Sequence, residues 1–199
     1  MKKLLFFSTL AIALLLSFTA DAQAKKVKGN FKSVGKITEL NVEFNYDNMG
    51  VGKFEKEEDY INKKRAEYNE KEPGRGDRWA ESWKADRKNR FQPAFLNLFS
   101  KHSGINAGEN PNAKYTLIFY TTFTEPGFNV GVWRENAYIN GKAVIVETAN
   151  RNNVIAEFSL NKMPGRDVSG YDFDTGERIE EAYAKSGKDL GALIKKEMK

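Results

Sequence analysis

Apolar residues fall at every second position from Leu40 to Tyr46, with Asn41, Glu43 and Asn45 between them. Side chains of a strand alternate between faces, so this rhythm predicts a strand with one face on the core. Asp47-Asn48-Met49-Gly50 interrupts it, and Phe54, Ile61, Arg65 and Tyr68 then recur at helical spacing. Glu55, Glu57, Glu58 and Asp59 fall in the first turns of that helix, where carboxylates oppose the positive end of the dipole, and Pro73-Gly74 ends it. A second helix is predicted from Asp77 as cap, with Trp79, Trp83, Phe91, Phe95 and Phe99 as an aromatic face that Pro93 kinks or divides. Ser103-Gly104 closes it.

From residue 113 to 161 the period returns to two, with β-branched and aromatic residues between polar ones. This is the pattern of an antiparallel meander. Pro126-Gly127 reads as a turn, Asn140-Gly141 as a two-residue hairpin, and Asn150 to Asn153 as the turn into Val154 to Leu160. After a loop from Met163 to Thr175, Ile179, Ala182, Tyr183, Leu190, Leu193, Ile194 and Met198 form the stripe of a last helix. Gly187 and Gly191 lie one turn apart on it; each glycine weakens a helix by about 1 kcal/mol, so the pair implies close packing onto the sheet or a break near Gly187. The element order is strand, two helices, four strands, helix. The expected fold is therefore α+β, a two-layer sandwich with a mainly antiparallel sheet of about five strands and helices on one face.

The amino terminus has different character. Met1-Lys2-Lys3 and the apolar run from Leu10 to Phe18 have the form of an export signal, shorter than the ~20 residues a bilayer span needs. Ala20, Ala22 and Ala24 supply the small residues of a cleavage site after Ala22 or Ala24. The expected organisation is a signal peptide over 1–24, a flexible leader or loosely held edge strand over 25–37, and a single domain over 38–199. Periplasmic or secreted localisation follows, with no stable membrane insertion after cleavage. There is no cysteine, which excludes disulfides, thiolate metal sites and a lipidated amino-terminal cysteine.

The chain carries 32 basic and 27 acidic residues, mostly interspersed, which argues against a nucleic-acid partner. With one histidine, His102, at a helix end, a serine triad or a histidine-based metal site is unsupported, and no phosphate-binding or nucleophile-elbow motif is present. No cofactor is expected. Glu43, Asp47, Asp59, Asp86, Asp172, Asp174 and Glu177 remain as carboxylates that tertiary structure could pair for hydrolysis. Asp167, Asp172 and Asp174 share a loop whose spacing departs from the twelve-residue calcium loop, so exposed turn carboxylates explain them more simply. Arg75-Gly76-Asp77 spells an adhesion tripeptide, for which helix capping is the simpler account. Trp79, Trp83 and Arg87 follow at i, i+4 spacing and share one helix face, either as an aromatic and cationic partner patch or as core with Arg87 at its rim. Trp133, with Phe128 and Tyr138, is a second aromatic candidate, either for a protein partner or for the wall of a small-ligand pocket.

The segment Phe44 to Phe54, with Asp59-Tyr60-Ile61 and Gly76-Asp77-Arg78-Trp79-Ala80-Glu81, resembles uncharacterised exported proteins of Gram-negative bacteria. The last helix, Gly176 to Leu190, is similar to one in envelope lipoproteins that share a fold with the amino-terminal domain of TolB and with the curli-secretion lipoprotein. These resemblances imply an envelope module that binds a protein or supports an assembly, and they transfer no catalytic residue. They make a non-catalytic binding or assembly module the leading expectation, ahead of a carboxylate hydrolase or a small-ligand carrier.

Overall fold

A computed structural model describes residues 23–31, 34–130, 133–166 and 174–199. Residues 1–22, which hold nearly all of the expected signal peptide, and 167–173, with Asp167 and Asp172, lie outside the described residues. The chain forms one mainly antiparallel seven-stranded sheet with helices packed on it, an α+β arrangement. Its strands are β1 (Gln23–Gly29), β2 (Glu39–Asn45), β3 (Gly50–Val51), β4 (Asn106–Gly108), β5 (Tyr115–Glu125), β8 (Tyr138–Glu147) and β9 (Val154–Pro164). The spatial order is β1-β9-β8-β5-β2-β4, with β3 also on β5. A separate two-stranded ribbon pairs β6 (Phe128–Val130) with β7 (Trp133–Glu135). The count differs from the expected five because β1, β3 and β4 are too short or too polar to show a period, while the two strands expected on either side of Asn140-Gly141 are one, β8.

The helices are α1 (Glu57–Lys71), α2 (Arg75–Asp86), α3 (Gln92–Ser103) and α4 (Thr175–Glu197). β2 pairs with β5 in parallel, so α1, α2 and α3 form the crossover between them. Leu40 and Val42 are buried as their alternation predicts, and Phe44 packs edge-on against Phe95 at 5.4 Å. Leu117 and Phe119 of β5, Ala143 and Ile145 of β8, and Phe158 and Leu160 of β9 extend the core.

Four expectations are corrected. The 25–37 stretch holds β1 on the sheet edge, paired with β9 from Gln23↔Asn161 to Gly29↔Ala156, and Phe31 and Ile37 are buried, so the edge-strand reading describes it. Asp77 is not the cap of α2. Gly74, in the left-handed region at φ 77°, precedes the helix, while Asp77 sits in its first turn and accepts from Asn69 Nδ2 at 3.1 Å. Gly76 is buried at the α1 contact, where a Cβ would lie 2.0 Å from the Arg65 carbonyl oxygen. The long aromatic helix is divided, as Pro93 predicted, by a π turn over Arg87–Phe91 that adds one residue before α3.

Asn140-Gly141 makes no hairpin; it lies inside β8. Opposite it, β5 carries an extra residue between Thr121 and Phe123, and β9 carries one between Leu160 and Met163. The tight-turn residues serve this double bulge. Asn140 Oδ1 accepts the Lys162 amide at 2.7 Å, Lys162 taking φ 47°, and a Cβ on Gly141 would lie 2.9 Å from the Tyr120 carbonyl oxygen. Chain reversal falls instead to the Asn150–Asn153 turn, as expected, and to the β6–β7 ribbon.

Gly187 and Gly191 face α3 and not the sheet. A Cβ at Gly187 would lie 2.2 Å from the Phe95 carbonyl oxygen, and one at Gly191 would lie 2.7 Å from that of Phe99. Two glycines one turn apart thus meet two phenylalanines one turn apart, and the helix backbones touch.

Candidate functional site

The i, i+4 spacing of Trp79, Trp83 and Arg87 does place them on one face of α2 and the π turn, and that face is turned toward α1. The indole rings stack at 5.6 Å, Tyr60 packs on Trp79 and Trp83 at 5.8 and 5.2 Å, and Tyr68 packs on Trp79 at 5.7 Å. Burial pushes the Tyr60 phenol well above its ordinary pKa. Glu57, in the first turn of α1, clamps the group from one end. It accepts from Trp83 Nε1 at 2.7 Å and from Arg87 Nη2, whose guanidinium lies 4.2 Å from the centre of the Tyr46 ring. Trp83 is buried and Arg87 half-buried, so these two tie α2 and the π turn to α1 and to Tyr46, the residue after β2. Of the two tryptophans, Trp79 keeps a partly open face. Sequence read Glu57 as a partner of the helix dipole; its bond to Arg87, thirty residues away, had no local signal.

Beside the open face of Trp79 runs a groove of about 680 Å³, walled by Tyr68 and Trp79 on one side and by Asp86, Arg90 and Asp174 on the other. Arg90 bridges two of the expected carboxylates, with Nε 3.2 Å from Asp86 Oδ1 and Nη1 donating to Asp174 Oδ2 at 2.8 Å. Their acidities diverge. Burial raises the Asp86 carboxyl, Arg90 opposing and Asp174 reinforcing the shift. Burial also acts to raise Asp174, but the Arg90 hydrogen bond and the Glu177 amide, which donates to it at 3.1 Å, outweigh burial and leave it lowered. Asp174 is thereby the N-cap of α4.

The other carboxylates go elsewhere. Glu43 binds Arg151 in a two-pronged ion pair at 2.7 and 2.8 Å, and Asp47 accepts from Asn45. Among the described residues no group of three or more histidines or carboxylates is arranged to hold a metal ion, and no helix is long and apolar enough to cross a membrane. His102 lies in the last turn of α3, as its sequence position predicts.

The lowered acidity of Asp174 gives a pH-dependent prediction. A carboxyl held below its unfolded value adds stability above that value and loses it as pH falls through the folded pKa. Asparagine caps a helix as well as aspartate does, so Asp174→Asn isolates the charge. The variant is expected to be less stable than the parent at pH 7, by under ~1 kcal/mol because the pair is half-exposed. Urea unfolding at pH 7 and below pH 3 checks this: the difference closes in acid, and a gap of equal size at both would refute it.

Trp133 is not brought to this cluster. It lies on β7, 73% exposed, with Phe128 across the ribbon on β6 46% exposed. Tyr138, the third member of the expected aromatic group, packs instead on Phe123 at 5.7 Å. The candidate residues thus divide into a buried joint, a groove and a projecting ribbon on an α+β sandwich.

No family model matches the chain, and no curated protein matches it. Among solved structures, the PelC dodecamer from Paraburkholderia phytofirmans is 12% identical, with 89% of this chain and 97% of that chain covered and a TM-score of 0.41. A point variant of that dodecamer, also 12% identical, gives a TM-score of 0.39 over 85% of this chain and 99% of that one. Likeness at this level says nothing of what this chain binds or how it assembles.

Proposed function

We propose that this chain is an exported, non-catalytic binding or assembly module of the cell envelope that takes a protein partner on its β6–β7 ribbon. One observation carries this reading. Trp133 and Phe128 stand open to solvent on two strands that pair only with each other among the described residues. A tryptophan left in water forfeits the gain of burial, and residues of this type are the usual anchors of protein interfaces. The export half of the reading rests on the charged and apolar start of the sequence.

The test is capture of partners from the envelope fraction, comparing the parent with a Trp133→Ser, Phe128→Ser double variant. Exposed positions away from the core leave stability within about 0.5 kcal/mol, so the variant is expected to unfold at the same urea concentration while its captured partners disappear. An unchanged set of partners would sink the proposal.

A second reading, a carboxylate hydrolase, draws on the groove, since two carboxyls with opposed acidities are what acid and base roles require. Arg90 lies between them and neutralises both, which favours a structural tie over catalysis. Turnover of a glycoside or ester panel that is abolished in Asp86→Asn would reverse this preference.

A further inference from the structure

The two edges of the seven-stranded sheet are treated differently by the sequence. β1 presents Lys25, Lys26 and Lys28, and its register shifts between Lys26 and Lys28, leaving Val27 exposed. Lysines and a bulge are the usual means by which an edge strand resists pairing with another chain.

At the other edge β4 has only three residues and pairs with β2 only at Glu39, Leu40 and Asn41. The strand β2 continues to Asn45, and among the described residues Val42 to Asn45 pair only with β5. The direction of the free groups follows from one bond. The Thr38 carbonyl accepts from the Asn106 amide of β4 at 2.9 Å, and successive backbone units of a strand point to opposite sides. Leu40, Val42 and Phe44 therefore direct their N–H and C=O toward this edge. β4 ends at Gly108, opposite Asn41, so the N–H and C=O of Phe44 have no strand partner there among the described residues.

A groove of about 450 Å³ runs along this open length. Val42 and Phe44 of β2, Pro93 and Leu96 of α3 and Pro111 of the loop after β4 are its apolar lining, and Asn41, Glu43, Lys88, Gln92 and Glu109 its polar lining. We propose that the β2 edge from Val42 to Asn45 accepts an extended segment of a partner protein as an added strand, continuing the line that β4 leaves. The backbone groups specify an extended peptide, because nothing else presents donors and acceptors at strand spacing. The walls specify apolar side chains at alternate positions, facing α3, with polar ones between them. The four open residues span about 13 Å at 3.3 Å each. A second copy of this chain offering β1 is disfavoured by the lysines and bulge that guard β1. This surface is separate from the β6–β7 ribbon, and either can fail without the other.

The probe is a heptapeptide alternating valine and threonine between terminal lysines, added to the full chain and followed by amide hydrogen exchange. Exchange at the Phe44 amide is expected to slow at least about tenfold, as joining a ladder requires. Methylating the central amide nitrogens of the peptide removes its donors and is expected to weaken binding at least about tenfold. Leu96→Lys, at a half-buried position on the groove wall, is expected to do the same. Should that variant fold poorly, the methylated peptide decides alone. No slowing at Phe44, equal affinity of the methylated peptide, or protection confined to residues 128–135 would each overturn the proposal.

Discussion

Replacing Gly187 with alanine is expected to lower stability by about 3 kcal/mol, the upper range for overpacking a core. The same change in an exposed helix raises stability by about 1 kcal/mol, because alanine restricts the unfolded chain and favours helix. The sign therefore reports the local contact. A Cβ at Gly187 would stand 2.2 Å from the Phe95 carbonyl oxygen and 3.0 Å from its carbonyl carbon, and both are backbone atoms that no rotamer change can move. The helices α3 and α4 must separate to admit it. At Gly191, where the approach to the Phe99 oxygen is 2.7 Å, the loss is expected to be smaller, about 1–2 kcal/mol. The two effects are less than additive, since one separation accommodates both methyl groups. Urea unfolding of the three variants measures this, and a gain in stability at Gly187 would show that the helices do not touch.

Phe119→Ala is expected to cost about 3–5 kcal/mol, the range for deleting a buried aromatic ring. Phe119 is fully buried on β5 and joins the layers, its ring 4.8 Å from Phe95 of α3, 5.9 Å from Tyr183 of α4 and 6.0 Å from Phe44 of β2. Removing it leaves a hole bounded by three elements that cannot all close in. Phe119→Leu keeps most of the volume and is expected to cost under about 1.5 kcal/mol. Equal losses for leucine and alanine would mean that ring contacts, and not filled space, hold the layers. A loss under 1 kcal/mol for alanine would remove Phe119 from the centre of the core.

Alternation from Leu40 to Tyr46 and the stripe from Ile179 to Ile194 were legible because burial of one face imposes a period on the residues themselves. The same reasoning failed at Asn140-Gly141. Those residues satisfy the demands of a tight turn, but they also satisfy a bulge, and the extra residues that make it a bulge belong to β5 and β9. The glycine pair at 187 and 191 was visible as an anomaly, while its contact was read onto the sheet, because spacing states that something approaches closely without saying what. The site shows the same division. The shared face of Trp79, Trp83 and Arg87 is a consequence of helix geometry; its burial depends on Glu57 and Tyr60, which α1 delivers.

Period, composition and breaker residues by themselves determined the α+β class and the inward faces of β2 and α4, since these depend on neighbours along one chain segment. Tertiary structure alone decided the parallel pairing of β2 with β5, the meeting of Asp86 and Asp174 at Arg90, the exposure of Trp133 and the open edge beyond Asn41. Those features join segments far apart in sequence, and no local energy term distinguishes which of many compatible partners a strand, carboxylate or ring will meet.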